Sequence, residues 1–362
     1  MKDFRMILPN PASDTAGAAS LLFQLNGLTI IHDAAGSMES YITFDEEREL
    51  EGKRTVASRL SRLEAITGDD RILLDKIEEE CAENPPPFVA ILGTPVPFTI
   101  GTDLEGIAAE AEFSTGVPAF GVNSGGFEIY DKGAGEALKK VLEKTAQPPS
   151  GHTGRIVNLL GATPMDYSPA EIDDIAQQLL TKGADSVNNL TMTDGMEQIY
   201  QAAEADHNLV ISTAGLPAAR YLKQRYGIPY SIGVPFDNIP DIAAATPQKI
   251  LIIGESVFSK QLAEIAGQIP GVTAVAGIIS NDDAEIFPQV STIRLDTEDG
   301  IRTELRKDYN IVLGDPMYRL LLPPENNCIF IERPHRALSG RLYPFSEYKL
   351  NHYFDKLKEC LT

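Results

Sequence analysis

Side chains able to ligate a metal, carry redox change or relay a proton are few here: three cysteines and five histidines among 362 residues. Cys81, Cys328 and Cys360 stand far apart, which excludes the C-x-x-C spacing of a dithiol or zinc site. Three thiolates in one chain also fall short of the four that hold an ordinary iron–sulfur cluster. Cys81 and Cys328 adjoin apolar segments and read as small buried hydrophobes, and Cys360 as an inert residue near the terminus. His32 follows the apolar run Leu28 to Ile31, so it reaches a strand's carboxyl end, as a catalytic group or as a structural hydrogen-bond partner. His335 shares a loop with Arg333, Arg336 and Arg341, a basic stretch in an acidic protein. That loop is either a solvated turn or a contact for an anion or carboxylate. His207 and His352 read as surface residues. No G-x-x-x-x-G-K-[ST] occurs, and Gly254-Glu255-Ser256 lacks the G-x-G-x-x-G pattern, so ATPase and NAD chemistry are not indicated.

The elements that must position these groups are clearest between Pro85 and Lys144. Phe88 to Leu92 is a continuous apolar run, the pattern of a strand buried on both faces, and it ends in Gly93-Thr94-Pro95. Asp103 fits as the cap of a helix whose stripe is Leu104, Ile107, Ala108 and Ala111. Thr115-Gly116-Val117-Pro118 closes that helix and opens a strand, Ala119 to Val122, followed by a glycine loop and a helix from Ala134 to Leu142. This β-α-β-α order predicts a parallel sheet with the loops after Leu92 and Val122 on one edge.

Upstream lie a helix-like segment from Ala18 to Leu25, the loop from His32 to Ser37, and a charged stretch, Thr43 to Ala65, that reads as solvated surface. Downstream the plan recurs. A strand from Arg155 to Leu160 precedes the capping box Ser168-Pro169-Ala170-Glu171, and Asp194 with Glu197 forms a second cap. Asn208 to Ser212 is a buried strand, and Tyr226-Gly227-Ile228-Pro229 echoes Thr115 to Pro118. Further strands read over Lys249 to Gly254, Val272 to Ile279, Asn310 to Leu313 and Cys328 to Glu332, with a closing helix from Ser346 to Cys360. Pro148 to Gly151 and Thr246-Pro247 are the natural breaks. The expectation is an α/β protein of two to three Rossmann-like domains with parallel sheets, divided at 1–150, 151–245 and 246–362.

Composition narrows the partners. A net charge of −21 repels nucleic-acid backbones and anionic lipid. No apolar run is long enough to span a bilayer, and the first residues lack a signal-peptide core. A cytoplasmic protein is expected.

The run from Thr94 to Gly133 resembles the first domain of the nitrogenase component 1 family, which includes nitrogenase subunits, cofactor-assembly scaffolds, and tetrapyrrole reductases. The resemblance is carried by Ile100-Gly101-Thr102-Asp103-Leu104, by Thr115 to Pro118 and by Gly126-Phe127, and again by Asn208-Leu209-Val210 and Tyr226 to Pro229. It implies a cleft where three domains face one another, a homodimer or heterodimer, and electrons from a separate ATP-hydrolysing iron–sulfur reductase. It also implies an iron–sulfur cluster, whose cysteine positions fall here on Ser13, Ser37 and Thr94 or Pro95. The position of the nitrogenase cofactor's cysteine becomes Ser212, that of the catalytic histidine becomes Glu136, and that of the cofactor's histidine falls on His335. No metal ligand set survives among these residues.

On that resemblance the catalytic candidates are His32, Glu136 and His335, and the cofactor-binding candidates are Ser13, Ser37, Thr94, Ser212, Arg333 and Arg336. The arginines would suit a carboxylate-bearing tetrapyrrole. Three activities stay open: an oxidoreductase reducing a tetrapyrrole or metal-cofactor-type substrate, a scaffold of the same fold without electron transfer, and a subunit whose partner supplies the thiolates.

Overall fold

The computed structural model describes residues 7–34, 54–193, 195–236, 243–344 and 347–361. Its strands form three sheets. The first contains β1 (Leu28–Ile31), β2 (Arg54–Ala57), β3 (Val89–Leu92) and β4 (Ala119–Val122), in the order β2-β1-β3-β4. The second contains β5 (Ile156–Leu160), β6 (Ser186–Asn189), β7 (His207–Val210) and β8 (Tyr230–Ile232), in the order β6-β5-β7-β8. The third contains β9 (Gln248–Gly254), β10 (Val272–Ile278), β11 (Thr292–Arg294), β12 (Ile311–Gly314) and β13 (Ile329–Glu332), in the order β11-β10-β9-β12-β13. Every pairing among these strands is parallel. Parallel neighbours need a crossover, and helices supply it, so the protein is α/β as its strand–helix alternation predicts.

The first two sheets repeat one plan. In each, a helix ends on a left-handed glycine, Gly116 at φ +70° or Gly227 at φ +77°. The glycine N–H closes the last turn on Glu112 O or Lys223 O, and a proline then leads into the next strand. β1, β3 and β4 are buried along their whole length, which is why their sequences are apolar apart from Thr29. One apolar core joins the first two sheets through Leu138, Val141, Ala218 and Leu222, and a second joins the second and third through Tyr167, Ile211, Phe258 and Phe354.

Some elements depart from the sequence reading. The edge strand β2 lies in the stretch read as solvated surface; it is short, polar and half-exposed. The helix expected from Ala134 begins at Tyr130, and the one expected from Ala18 begins at Asp14, capped by Ser13. Those two early starts bring Asp14, Tyr130 and Asp131 into the interior. Ser37 and Asp194 lie outside the described residues. No described helix is long and apolar enough to cross a membrane.

Candidate functional site

Loops at the carboxyl ends of the strands of all three sheets carry a cluster of buried and half-buried polar residues. β5 leads to Thr163 and Asp166, β7 to Ser212 and Thr213, β9 to Glu255, β10 to Asn281, β12 to Asp315, and β13 to Arg333 and His335. The first sheet adds Tyr130 and Asp131, which open the helix after β4. Carboxyl edges are where open α/β sheets place their functional groups. Here three such edges meet.

Two carboxylates hold the meeting point. Asp166 accepts a short hydrogen bond from the Tyr130 hydroxyl and one of 2.9 Å from Thr163 Oγ1, and its Oδ1 lies 2.9 Å from His335 Nε2. That contact places the proton on Nε2, and Nδ1 has no partner among the described residues. The backbone N–H of His335 donates to Asp315 at 2.7 Å. Asp131 accepts from Thr213 Oγ1 at 2.6 Å, and from Asn281 N at 2.9 Å and Nδ2 at 2.8 Å. Glu255 accepts from Thr213 N at 2.9 Å and Phe258 N at 3.1 Å. Arg333 donates to Asp166 O at 2.8 Å and Glu171 at 3.2 Å, with its guanidinium 3.9 Å from the Phe258 ring centroid.

Burial governs the charges of this cluster. It raises the Glu255 carboxyl from 4.5 to about 8, with the nearby Asp166 charge adding to it. It lifts Asp131 to about 6, against the hydrogen bond from Thr213. It also raises Asp315 and holds the Tyr130 hydroxyl well above the ordinary phenol range.

The residues singled out by the sequence fall into separate places. Ser212, Arg333 and His335 come together at the three-sheet junction, where each is buried. At Arg333 the basic loop is therefore not a solvated turn: that guanidinium faces Glu171 and aromatic rings, while Arg341 is exposed. His32 and Thr94 meet at the carboxyl edge of the first sheet, with Thr94 Oγ1 donating to His32 O at 2.9 Å. Both ring nitrogens of His32 lack hydrogen-bond partners among the described residues, and burial lowers its pKa. Ser13 caps a helix on the same edge by accepting from Ala16 N. Glu136 stands apart, half-buried, accepting from Asn123 N at 3.1 Å. Arg336 lines a cavity of about 800 Å³ between the Pro9 to Ser13 segment and the Ala337 to Leu342 segment, with Arg341 at its rim. A second cavity, about 330 Å³, adjoins it across Ser13 and Leu338 and reaches Gly126 and Phe127.

An iron–sulfur cluster does not fit the described residues on the first sheet's edge. Ser13 offers a hydroxyl already used as a cap, and Thr94 a hydroxyl already donated to a carbonyl. Pro95 offers no ligand atom, and the described cysteines, Cys81, Cys328 and Cys360, lie elsewhere. Hydroxyls are far more basic than thiols and hold iron poorly in their place.

Sequence reasoning missed Tyr130, Asp131, Asp166, Glu255 and Asp315. A signal was present for two of them. Gly254-Glu255 and Gly314-Asp315 each put an acid directly after a glycine that ends a buried apolar strand.

Residues 13–238 match the sequence pattern of the nitrogenase component 1 type oxidoreductases, and the chain belongs to that family. Among curated proteins it is similar to the nitrogenase iron-molybdenum cofactor biosynthesis protein NifE of Bradyrhizobium diazoefficiens, at 27% identity over 198 residues, which is 52% of this chain and 35% of that protein. NifE of Clostridium pasteurianum is 26% identical over 223 residues, 60% of this chain and 46% of that one. The chain thus matches less than half the length of these relatives. Its fold is that of two solved structures of nitrogenase Cp1. One, at pH 6.5, gives a TM-score of 0.69 at 10% identity, covering 100% of this chain and 94% of that one. The other, at pH 5, gives 0.58 at 16% identity, covering 93% and 78%.

Proposed function

We propose that this chain is a cluster-free subunit of a component 1-type oxidoreductase. It binds a tetrapyrrole or metal-cofactor-type substrate and receives electrons through a partner subunit that holds the thiolates. The observation that carries this reading is the chemistry at Ser13, Thr94 and Pro95: the loops keep an ordered, capped geometry on the carboxyl edge with no thiolate among them. The substrate's place is the cavity of about 800 Å³ beside Ser13, a volume in the range of cofactor pockets. Its walls are mainly apolar, and Arg336 and Arg341 supply positive charge for carboxylate side groups. A dimer, a cytoplasmic location and an ATP-dependent iron–sulfur reductase as electron source go with this reading, and so do domain boundaries near residues 150 and 245.

A second reading is favoured by the relatives, which are named as cofactor biosynthesis proteins. In it the same cavity holds a cofactor on a scaffold and no electrons pass. Two measurements test the pair. Anaerobic iron and sulfide analysis of the purified chain should find no stoichiometric cluster, and a matched visible absorption with iron would overturn the cluster-free subunit. Haem titration, as a probe of planar carboxylate ligands, should show saturable binding that Arg336→Ala with Arg341→Ala weakens about tenfold, the loss of about 1.4 kcal/mol. Reduction of bound ligand by a reductase and partner separates the first reading from the second.

A further inference from the structure

We propose that the meeting point of the three carboxyl edges, where the family resemblance places a cofactor between Ser212 and His335, is in this chain a ligand-free polar lock joining the three sheets. This goes beyond the proposed function and does not depend on it.

The two positions that would face a cofactor are both occupied by protein contacts. Ser212 is fully buried and its hydroxyl donates to Gly161 O at 2.6 Å. His335 is 2% exposed, with Nε2 against Asp166 and its backbone N–H on Asp315. Its carbonyl accepts from Leu338 N and from Ser339 Oγ. Neither Ser212 nor His335 lines the cavity of about 800 Å³ or the one of about 330 Å³, and the cavity that includes Asp166 and Arg336 is about 10 Å³. That is room for about one water molecule.

The bonding pattern is that of a joint. Asp131, after the first sheet, is held by Thr213 after β7 and Asn281 after β10. Asp166, after β5, is held by Tyr130 from the first sheet and His335 after β13. Each carboxylate therefore ties all three sheets at once. Glu255 adds a third tie, from the end of β9 to Thr213 N. Admitting a large ligand means breaking these contacts and leaving buried carboxylates unpaired, which is strongly unfavourable.

Hydrogen–deuterium exchange on the full chain tests this, with haem and with ferrous iron plus sulfide as probes under anaerobic conditions. Exchange at residues 163–168, 211–216 and 333–335, which leave out the wall of the outer cavity, should change less than about twofold when either probe is added. Slowing of all three segments by tenfold or more, with stoichiometric probe retained, would overturn the lock. Asp166→Asn should speed exchange at 163–168 and 333–339 about tenfold or more, with far-ultraviolet circular dichroism unchanged. Should that variant not fold, Tyr130→Phe removes one hydroxyl and keeps the shape, and should speed the same segments. A folded variant exchanging like the wild type would overturn the proposal. Failure of haem to bind anywhere counts against the outer cavity of the proposed function, while the variant arm still decides the lock.

Discussion

Nε2 of His335 lies 2.9 Å from Oδ1 of Asp166, and the two buried side chains come from loops of different sheets. Removing one partner of such a pair leaves the other polar and buried. His335→Ala should cost about 3–5 kcal/mol, and His335→Ala on an Asp166→Asn background should cost less. A double-mutant cycle read from urea midpoints should give a coupling of about 1–3 kcal/mol. Strict additivity would show that the contact does not hold the sheets together.

The junction also sets a pH dependence. Glu255 in the folded chain titrates at about 8 against an ordinary 4.5, and Asp131 at about 6 against 3.8. The folded state therefore binds these protons more tightly than the unfolded state does. The resulting penalty is absent below the ordinary carboxyl pKa, grows as pH rises, and is complete once Glu255 ionises near 8. Melting temperature should accordingly fall between about pH 6 and pH 8, and Glu255→Gln should flatten that slope. Equal slopes for the two proteins would rule out Glu255 as its source.

Two helices of the first sheet cross at glycines. A Cβ on Gly17 would lie 1.9 Å from Tyr130 O, and one on Gly133 would lie 1.9 Å from Asp14 O. Both obstacles are backbone atoms and cannot swing aside. Gly133→Ala should therefore destabilise by about 3 kcal/mol or more, beyond the usual range for overpacking. Gly267→Ala is the control, because a Cβ there meets nothing within 4 Å. Its thermal midpoint should stay unchanged or rise slightly.

How much of this was legible in the sequence depends on burial. Phe88 to Leu92 and the Leu209-Val210-Ile211 centre of Asn208 to Ser212 announce themselves because central parallel strands are apolar where both faces are buried. Edge strands such as Ser186–Asn189 and Thr292–Arg294 do not, being short, mixed in polarity and only partly buried. The capping box at Ser168 and Glu171 was readable because its bonds are local, and both form. The junction was not, because Asp131 and Asn281 are brought together across 150 positions. A single aspartate at a helix start looks like a surface cap until its partners are placed. His335 was found through its basic loop and through family resemblance, but its partner Asp166 had no such mark.

Asp14 holds the first sheet's carboxyl edge together. Its carboxylate accepts from Gly125 N at 2.9 Å and Gly126 N at 2.7 Å, joining the loop after β4 to the helix capped by Ser13. The neighbouring Thr15 hydroxyl donates to Gly93 O at 2.8 Å and ties in the loop after β3. Asp14→Ala leaves both glycine N–H groups without their acceptor, at about 1–3 kcal/mol each. Asp14→Asn keeps one carbonyl oxygen and so one acceptor. Thermal midpoints should fall in the order wild type, Asp14→Asn, Asp14→Ala, with amide exchange at residues 123–128 rising in the same order. The cavity that reaches Gly126 and Phe127 would lose its fixed wall together with those bonds. An Asp14→Ala protein with wild-type melting and wild-type exchange would show that the loops are held by packing alone.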